Sequence, residues 1–171
     1  MTSSLVGSEM CIRDSSLSTC GLTEKFDKLA ALNLQLTLSV SLHAPDDETR
    51  SRLMPANRGR GVAELMDACE RYFKTTGRRI SFEYAMINGV NDTPRHIREL
   101  CRLLNGIPCR INLIRFHRIP GSPYFSPPDE EVVRFRDALT ARGIQTTVRA
   151  SRGEDIQAAC GLLSTEERTR Q

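Results

Sequence analysis

In the segment RGEDIQAACG (152–161) one cysteine, Cys160, sits between alanines and a glycine. Arg149 and Arg152 precede it. Nearby cations lower a thiol's pKa and raise the fraction present as thiolate, the nucleophilic form. Small neighbours leave room for a reacting atom to approach. The same Ala-Ala-Cys-Gly string also reads as a tight packing turn. Cys160 is thus a candidate nucleophile with a structural alternative beside it.

The other cysteines are Cys11, Cys20, Cys69, Cys101 and Cys109, and no two of the six make a C-x-x-C pair. Structural zinc and iron–sulfur sites use such close pairs to bring thiolates onto one metal. No metal ligand set is therefore expected in this chain. Cys69 and Cys101 fall on apolar faces of expected helices and read as small core residues. His43 and His117 each follow an expected strand, whereas His96 lies on an expected helix and reads as a surface residue. Cys160 with His117 would make a cysteine-nucleophile hydrolase, which is one open reading.

The elements that must position these groups show in the hydrophobic pattern. In LQLTLSVSL (34–42) apolar and polar residues alternate, and period two means a strand. Leu34, Leu36, Leu38, Val40 and Leu42 share one face; Thr37, Ser39, Ser41 and His43 share the other. GVAELMDACERYFKTTG (61–77) has helical spacing, with Gly77 as its stop. RISFEYAMI (79–87) alternates again. Thr93 and Pro94 look like the N-cap and first residue of a helix over RHIRELCRLL. CRINLI is a third strand, and DEEVVRFRDALTARG is a helix with acids in its first turn. IQTTVRAS is a fourth strand, and Ser164 with Glu167 has capping-box spacing for a last short helix.

Strands and helices alternate, which implies an α/β architecture with parallel strands and helices outside. One face of each strand is polar or small: Ser39 and Ser41, Ser81 and Glu83, Arg110 and Asn112, Thr147 and Arg149. That lining suits an open, ligand-holding barrel better than a sheet covered on both faces, whose strands are apolar throughout. Glu83 needs a partner on that face, and Arg149 is one candidate. No G-x-G-x-x-G follows a strand, so a dinucleotide fold has no direct support. In α/β barrels the chemistry sits at the carboxyl ends of the strands. Here those ends carry Ser41 to His43, Met86 to Asn91, Arg115 to His117, and Arg149 to Arg152.

Composition narrows the class. Charged residues make up 26% and apolar residues 39%, the balance of a soluble globular domain. No apolar run approaches the ~20 residues that span a bilayer. A signal segment is not evident, so a cytoplasmic protein without a membrane partner is expected. The net charge of +3 permits an RNA partner without requiring one. MTSSLVGSEMCIRDS shows no periodicity, so residues 1–15 read as a non-native leader and residues 16–171 as the domain.

The strings STCG, SVSLHAPDDETRSRLMPAN, FEYAMINGVND, CRINLIRFHRIPGSPY and VRASRGEDIQAACGLLS occur in that order. They resemble the successive signature segments of the RlmN/Cfr family of radical S-adenosylmethionine RNA methyltransferases. The resemblance runs from about Leu17 to Thr165. It implies the C-terminal portion of a partial (βα) barrel of the radical SAM type. It also implies adenine C2 as the target in 23S rRNA and tRNA; the C8 position used by Cfr-type enzymes is the alternative.

By position in these motifs, Ser18, Ser41, Leu42 and His43 match contacts to S-adenosyl-L-methionine. Read by itself, Ser18 would be a turn residue. His117 matches a further contact that is asparagine in many relatives; a histidine makes that contact titratable. Cys160 matches the cysteine that carries the methyl group. In the family one S-adenosylmethionine methylates this thiol. A second is cleaved reductively at a 4Fe-4S cluster to a 5′-deoxyadenosyl radical, and the resulting protein–RNA thioether is resolved through another cysteine. An electron donor is implied, and a monomer is expected.

The family's cluster motif, C-x-x-x-C-x-x-C, does not occur here, and the resolving cysteine and general-base glutamate have no counterpart. The resemblance therefore implies a C-terminal part of such an enzyme, inactive by itself, with no metal ligands of its own. A non-catalytic barrel fragment with weak S-adenosylmethionine or RNA binding is the competing reading. Missing early strands would leave an exposed sheet edge beside LQLTLSVSL.

Overall fold

A computed structural model describes residues 15–34, 36–57, 59–117 and 121–149. Cys160, Arg152 and the expected helix at Ser164 to Glu167 lie outside the described residues. The strands are β1 (Ser16–Thr19), β2 (Thr37–Ser41), β3 (Ile80–Met86), β4 (Cys109–Arg115) and β5 (Gln145–Val148). They form a five-stranded sheet in the order β1-β2-β3-β4-β5. Every pairing is parallel. The helices are α1 (Phe26–Ala31), α2 (Asp47–Leu53), α3 (Val62–Thr76), α4 (Pro94–Leu103) and α5 (Asp129–Thr140). Short 3₁₀ turns cover Thr23–Lys25 and Pro55–Asn57.

Strand order equals chain order. Right-handed crossovers between such neighbours put every helix on the same side of the sheet. A doubly wound sheet would instead reverse its order at a switch point. The result is the α/β, partial-barrel arrangement that the polar strand faces called for.

The core lies between the helices and the apolar strand face. Leu38, Val40, Phe82, Tyr84, Ile111 and Leu113 are sealed from solvent there. They meet Leu65, Cys69 and Tyr72 of α3, Leu100 of α4, and Val132, Phe135 and Leu139 of α5. Tyr84 stacks on Phe135 with ring centroids 5.7 Å apart. Burial of this kind stabilises by about 25 cal/mol per Å² of apolar surface. Ends are set locally: Gly77 closes α3 in a left-handed conformation, φ 66°.

Several elements differ from the sequence expectation. β1 and α1 had no periodic signal, and Ser18 is a strand residue rather than a turn residue. Four residues with one leucine show no alternation; pairing with β2 makes this strand. β2 begins at Thr37 rather than Leu34, which is 46% exposed. The sheet edge is therefore β1, not β2, among the described residues. α2 carries almost no apolar period. It is held instead by Asp46, whose Oδ1 accepts from the Thr49 N–H at 2.8 Å, and by the buried Arg50.

His96 is not a surface residue. It is buried, and its Nδ1 lies 2.7 Å from Thr93 Oγ1 in a capping box at the start of α4. Histidine here fills the place usually taken by glutamate or glutamine.

Candidate functional site

Register turns the polar strand faces into rows. Ser18 pairs with Ser39, Ser39 with Ser81, Ser81 with Arg110, and Arg110 with Gln145. The next row runs Ser41, Glu83, Asn112, Thr147. In a parallel sheet residues in register share a face, and this one is opposite the helices.

Side chains lace these rows together. Asn112 is the hub: Nδ2 donates to Ser81 Oγ at 3.0 Å and to Glu83 Oε1 at 2.9 Å. Thr147 Oγ1 donates to Asn112 Oδ1 at 2.8 Å. Only one orientation of the amide satisfies all three bonds. Ser16 and Ser39 hydroxyls meet at 2.9 Å. Glu83 is thus held by Asn112 and not by Arg149, the partner expected from sequence. Its second oxygen, Oε2, is buried without a hydrogen-bond partner among the described residues. The hydroxyls of Ser18 and Ser41 likewise make no bond to any described residue. The face is laid out to accept a ligand with hydrogen-bond donors.

The carboxyl ends of β1 and β2 are tied by Arg50, which is 2% exposed. Its Nη2 donates to the carbonyl oxygens of Cys20 at 2.9 Å and Ser41 at 3.0 Å. Nε donates to the Leu42 carbonyl at 3.1 Å, and Nη1 to Asn57 Oδ1. Asp47 Oδ1 in turn accepts from the Val62 N–H at 2.7 Å, which fastens the start of α3 to the same corner.

His43 follows β2 and adopts φ 59°, a left-handed conformation uncommon for a residue with a Cβ. Its Nδ1 accepts from the Ala85 N–H at 3.0 Å. The ring hydrogen of the neutral form is therefore on Nε2, free to donate. Burial, then the nearby Arg50 charge, pushes the imidazole pKa down to about 4. His43 is accordingly a neutral donor at neutral pH. Asn91, sealed in the turn after β3, holds this corner through bonds to His43, Ala85 and Ile87.

Ser18, Ser41 and His43 thus share one face and end of the sheet. Leu42 points into the core, fully buried, and both its backbone polar groups are occupied, by Glu83 O and Arg50 Nε. His117 lies past β4, two strands along the same rim. Cys160 is outside the described residues. Sequence reasoning missed Arg50 and Asn91. Both stand in segments that look like ordinary charged or turn sequence, and only topology assembles the carbonyls they bind.

No group of described His, Cys, Asp and Glu residues could hold a metal ion. The described residues therefore do not fit an iron–sulfur cluster. None of the helices among them is long and apolar enough to cross a membrane.

The comparisons agree with this architecture. A crystal structure of a radical SAM methyltransferase from Sphaerobacter thermophilus is similar, with a TM-score of 0.84 and 50% identity. The match covers 86% of this chain and 43% of that one. A domain of pyruvate-formate lyase-activating enzyme from Bacteroides vulgatus has a TM-score of 0.61 at 17% identity, covering 79% and 80% of the two chains. That likeness is one of fold alone. No protein-family model matches the chain. In fold and sequence together the chain is similar to part of a radical SAM methyltransferase.

Within that class its curated relatives bear one name, "Probable dual-specificity RNA methyltransferase RlmN". The Desulforamulus reducens protein is 46% identical over 151 residues, and the Bacillus subtilis protein 43% identical over 156. The match covers 88% of this chain in the first case and 91% in the second. The chain is thus similar to RlmN proteins over about nine-tenths of its own length, and it spans 43% of the length of these relatives.

Proposed function

We propose that this chain supplies the S-adenosylmethionine-holding wall and the methyl-carrying thiol of an RNA adenine methyltransferase acting on 23S rRNA and tRNA. The observation that carries the reading is the polar strand face, where Ser18, Ser41 and His43 share one end of the sheet beside Glu83, whose Oε2 has no partner among the described residues. S-adenosyl-L-methionine has an ammonium group and ribose hydroxyls to donate, which fits that face.

In this reading His43, neutral and with Nε2–H exposed to the ligand, donates to an acceptor of the cofactor. Ser18 and Ser41 hydroxyls add bonds that adapt to either polarity. Leu42 acts through its place in the backbone, fixing Ser41 and His43 on either side. His117 contributes from the β4 end. Cys160 is the methyl carrier. When bound, S-adenosylmethionine supplies both the methyl group and the means of activating it. The 4Fe-4S cluster and its electron donor belong to the complete enzyme, since the chain's sequence contains no C-x-x-x-C-x-x-C motif. The isolated chain is accordingly inactive in turnover.

Isothermal titration of the chain with S-adenosylmethionine tests the binding claim. Binding should weaken about 3- to 10-fold in Ser41→Ala or Ser18→Ala, the range expected for one lost hydrogen bond. No heat with the unaltered chain, or an affinity in both variants unchanged from that of the unaltered chain, would sink it.

A further inference from the structure

The amino ends of the strands carry a separate feature. Thr37 opens β2, Arg79 directly precedes β3, and Arg110 is near the start of β4. With Gly77 and Arg78 they line a cavity of about 250 Å³. Because the strands are parallel, this cavity is at the opposite end of the sheet from His43 and Asn91.

Some arginines elsewhere close on carboxylates: Arg60 on Glu24, Arg71 on Asp27, Arg115 on Asp129. Here no carboxylate is among the described lining residues. Arg79 donates to the amide oxygen Oε1 of Gln145 at 2.6 Å, and Arg110 to the Ser81 hydroxyl at 3.3 Å. Both acceptors are neutral. Arg79 and Arg110 therefore flank one cavity without a carboxylate partner among the described residues, and most of their N–H donors make no bond there. The carboxyl end of α3 is close by, but it brings only about half a negative charge.

We propose that this cavity binds a phosphate group through Arg79 and Arg110. Guanidinium forks match phosphate oxygens two at a time, and the open hydroxyl-lined wall at Thr37 adds a donor. The phosphate is either a phosphodiester of a nucleic-acid strand or free inorganic phosphate. This assignment stands apart from the methyltransferase reading, because it concerns the other end of the sheet.

The test is fluorescence anisotropy of an end-labelled single-stranded RNA oligonucleotide at several salt concentrations, with inorganic phosphate as competitor. Inorganic phosphate is also titrated alone by calorimetry. The double variant Arg79→Gln/Arg110→Gln should bind the RNA about tenfold more weakly. Its slope of log affinity against log salt should be shallower by about 1.4, the value for two contacts on a single strand. Arg79→Lys, which keeps the charge and loses the fork, should fall between. Arg136→Gln, on the far surface of α5, should change nothing. Both altered positions are exposed, and an unchanged thermal melt confirms that the fold persists. A variant-sensitive RNA signal that phosphate does not displace assigns the cavity to a nucleic-acid strand. Phosphate binding lost in the double variant, without an RNA effect, assigns it to the free ion. Unchanged RNA affinity and slope, together with no phosphate binding, overturn the proposal.

Discussion

Asn91 and His43 are fastened to each other across the ends of β2 and β3. Asn91 Nδ2 donates to the carbonyl oxygen of His43 at 2.7 Å and to that of Ala85 at 2.7 Å. The Ala85 N–H donates to the His43 ring at 3.0 Å. Asn91 Oδ1 accepts from the Ile87 N–H at 2.7 Å, and the Tyr84 hydroxyl donates to the Asn91 carbonyl at 2.7 Å. A left-handed backbone costs a non-glycine residue about 1 kcal/mol. This closed set of bonds holds His43 in it and fixes where Nε2 points.

Asn91→Ala should therefore be strongly destabilising. It strands the Ile87 N–H and two carbonyls in a buried place, at about 1–3 kcal/mol for each unsatisfied group. A loss of about 3 kcal/mol or more is expected in a urea melt. Asn91→Asp restores the acceptor for Ile87 but none of the donors, so it should rescue little. A loss below about 1 kcal/mol in Asn91→Ala would show that this corner does not depend on the asparagine.

Stability should fall on mild acidification. The folded-state pKa of His43 is depressed to about 4 from an ordinary 6.5. The unfolded chain thus binds the proton more readily, and the contribution of neutral His43 is fully present above about pH 6.5. It is lost as pH falls towards 4, by up to about 3 kcal/mol at 1.36 kcal/mol per unit. Burial also lowers the pKa of His96, which acts in the same direction. His43→Asn should flatten the stability profile between pH 6.5 and 4, and an unflattened profile would assign the acid sensitivity to other groups.

Arg50 should tolerate no substitution well. It is the common donor to the ends of β1 and β2, at Cys20, Ser41 and Leu42. Arg50→Met keeps the packing volume but strands those carbonyls, and about 3 kcal/mol or more should be lost in chemical denaturation. Arg50→Lys keeps the charge without the planar fork and should recover only part of it. Full recovery by lysine would mean that charge, rather than geometry, holds the strand ends.

The long periodic elements were legible in sequence. Alternation located β2 to β5 and identified the polar face from Ser39 to Thr147. Helical spacing with stops at Gly77 and Gly143 located α3 and α5. What failed was short or non-periodic. β1 exists because β2 offers it a partner, α1 because Phe26 and Ala30 find the core, and α2 because Arg50 is satisfied by distant carbonyls. Asn91 looks like one more polar residue in the turn NGVND. Its role depends on two strand ends meeting, and no local pattern records that. His96 was misplaced because the capping role that buries it is usually filled by an acid or amide.

Thiol chemistry should separate the described cysteines cleanly. Burial pushes the Cys69 thiol up to about 12 and Cys109 up to about 11, and it raises Cys101 as well. Neutral thiols in apolar surroundings react slowly. Cys20 is exposed at the end of β1. Iodoacetamide at pH 8 under native conditions should alkylate Cys20 well ahead of Cys69 and Cys109, read by peptide mass spectrometry. Equal labelling of Cys69 would mean that the core opens on the labelling timescale.

The edge at β1 carries the last consequence. On its apolar side Leu17 is 42% exposed, and Leu22, Leu32 and Leu34 nearby are exposed as well. A strand edge beside uncovered leucines is a template for pairing with another chain. Self-association should therefore grow with protein concentration, through apolar contact rather than charge, and should persist at high salt. Leu17→Lys places a charge beside the open edge without touching the sealed core. It should reduce light scattering on warming while leaving the urea midpoint almost unchanged. If Leu17→Lys aggregates as readily as the unaltered chain, the edge is not the site of association. If it lowers the unfolding free energy by more than about 1 kcal/mol, Leu17 packs in solution more tightly than its exposure implies.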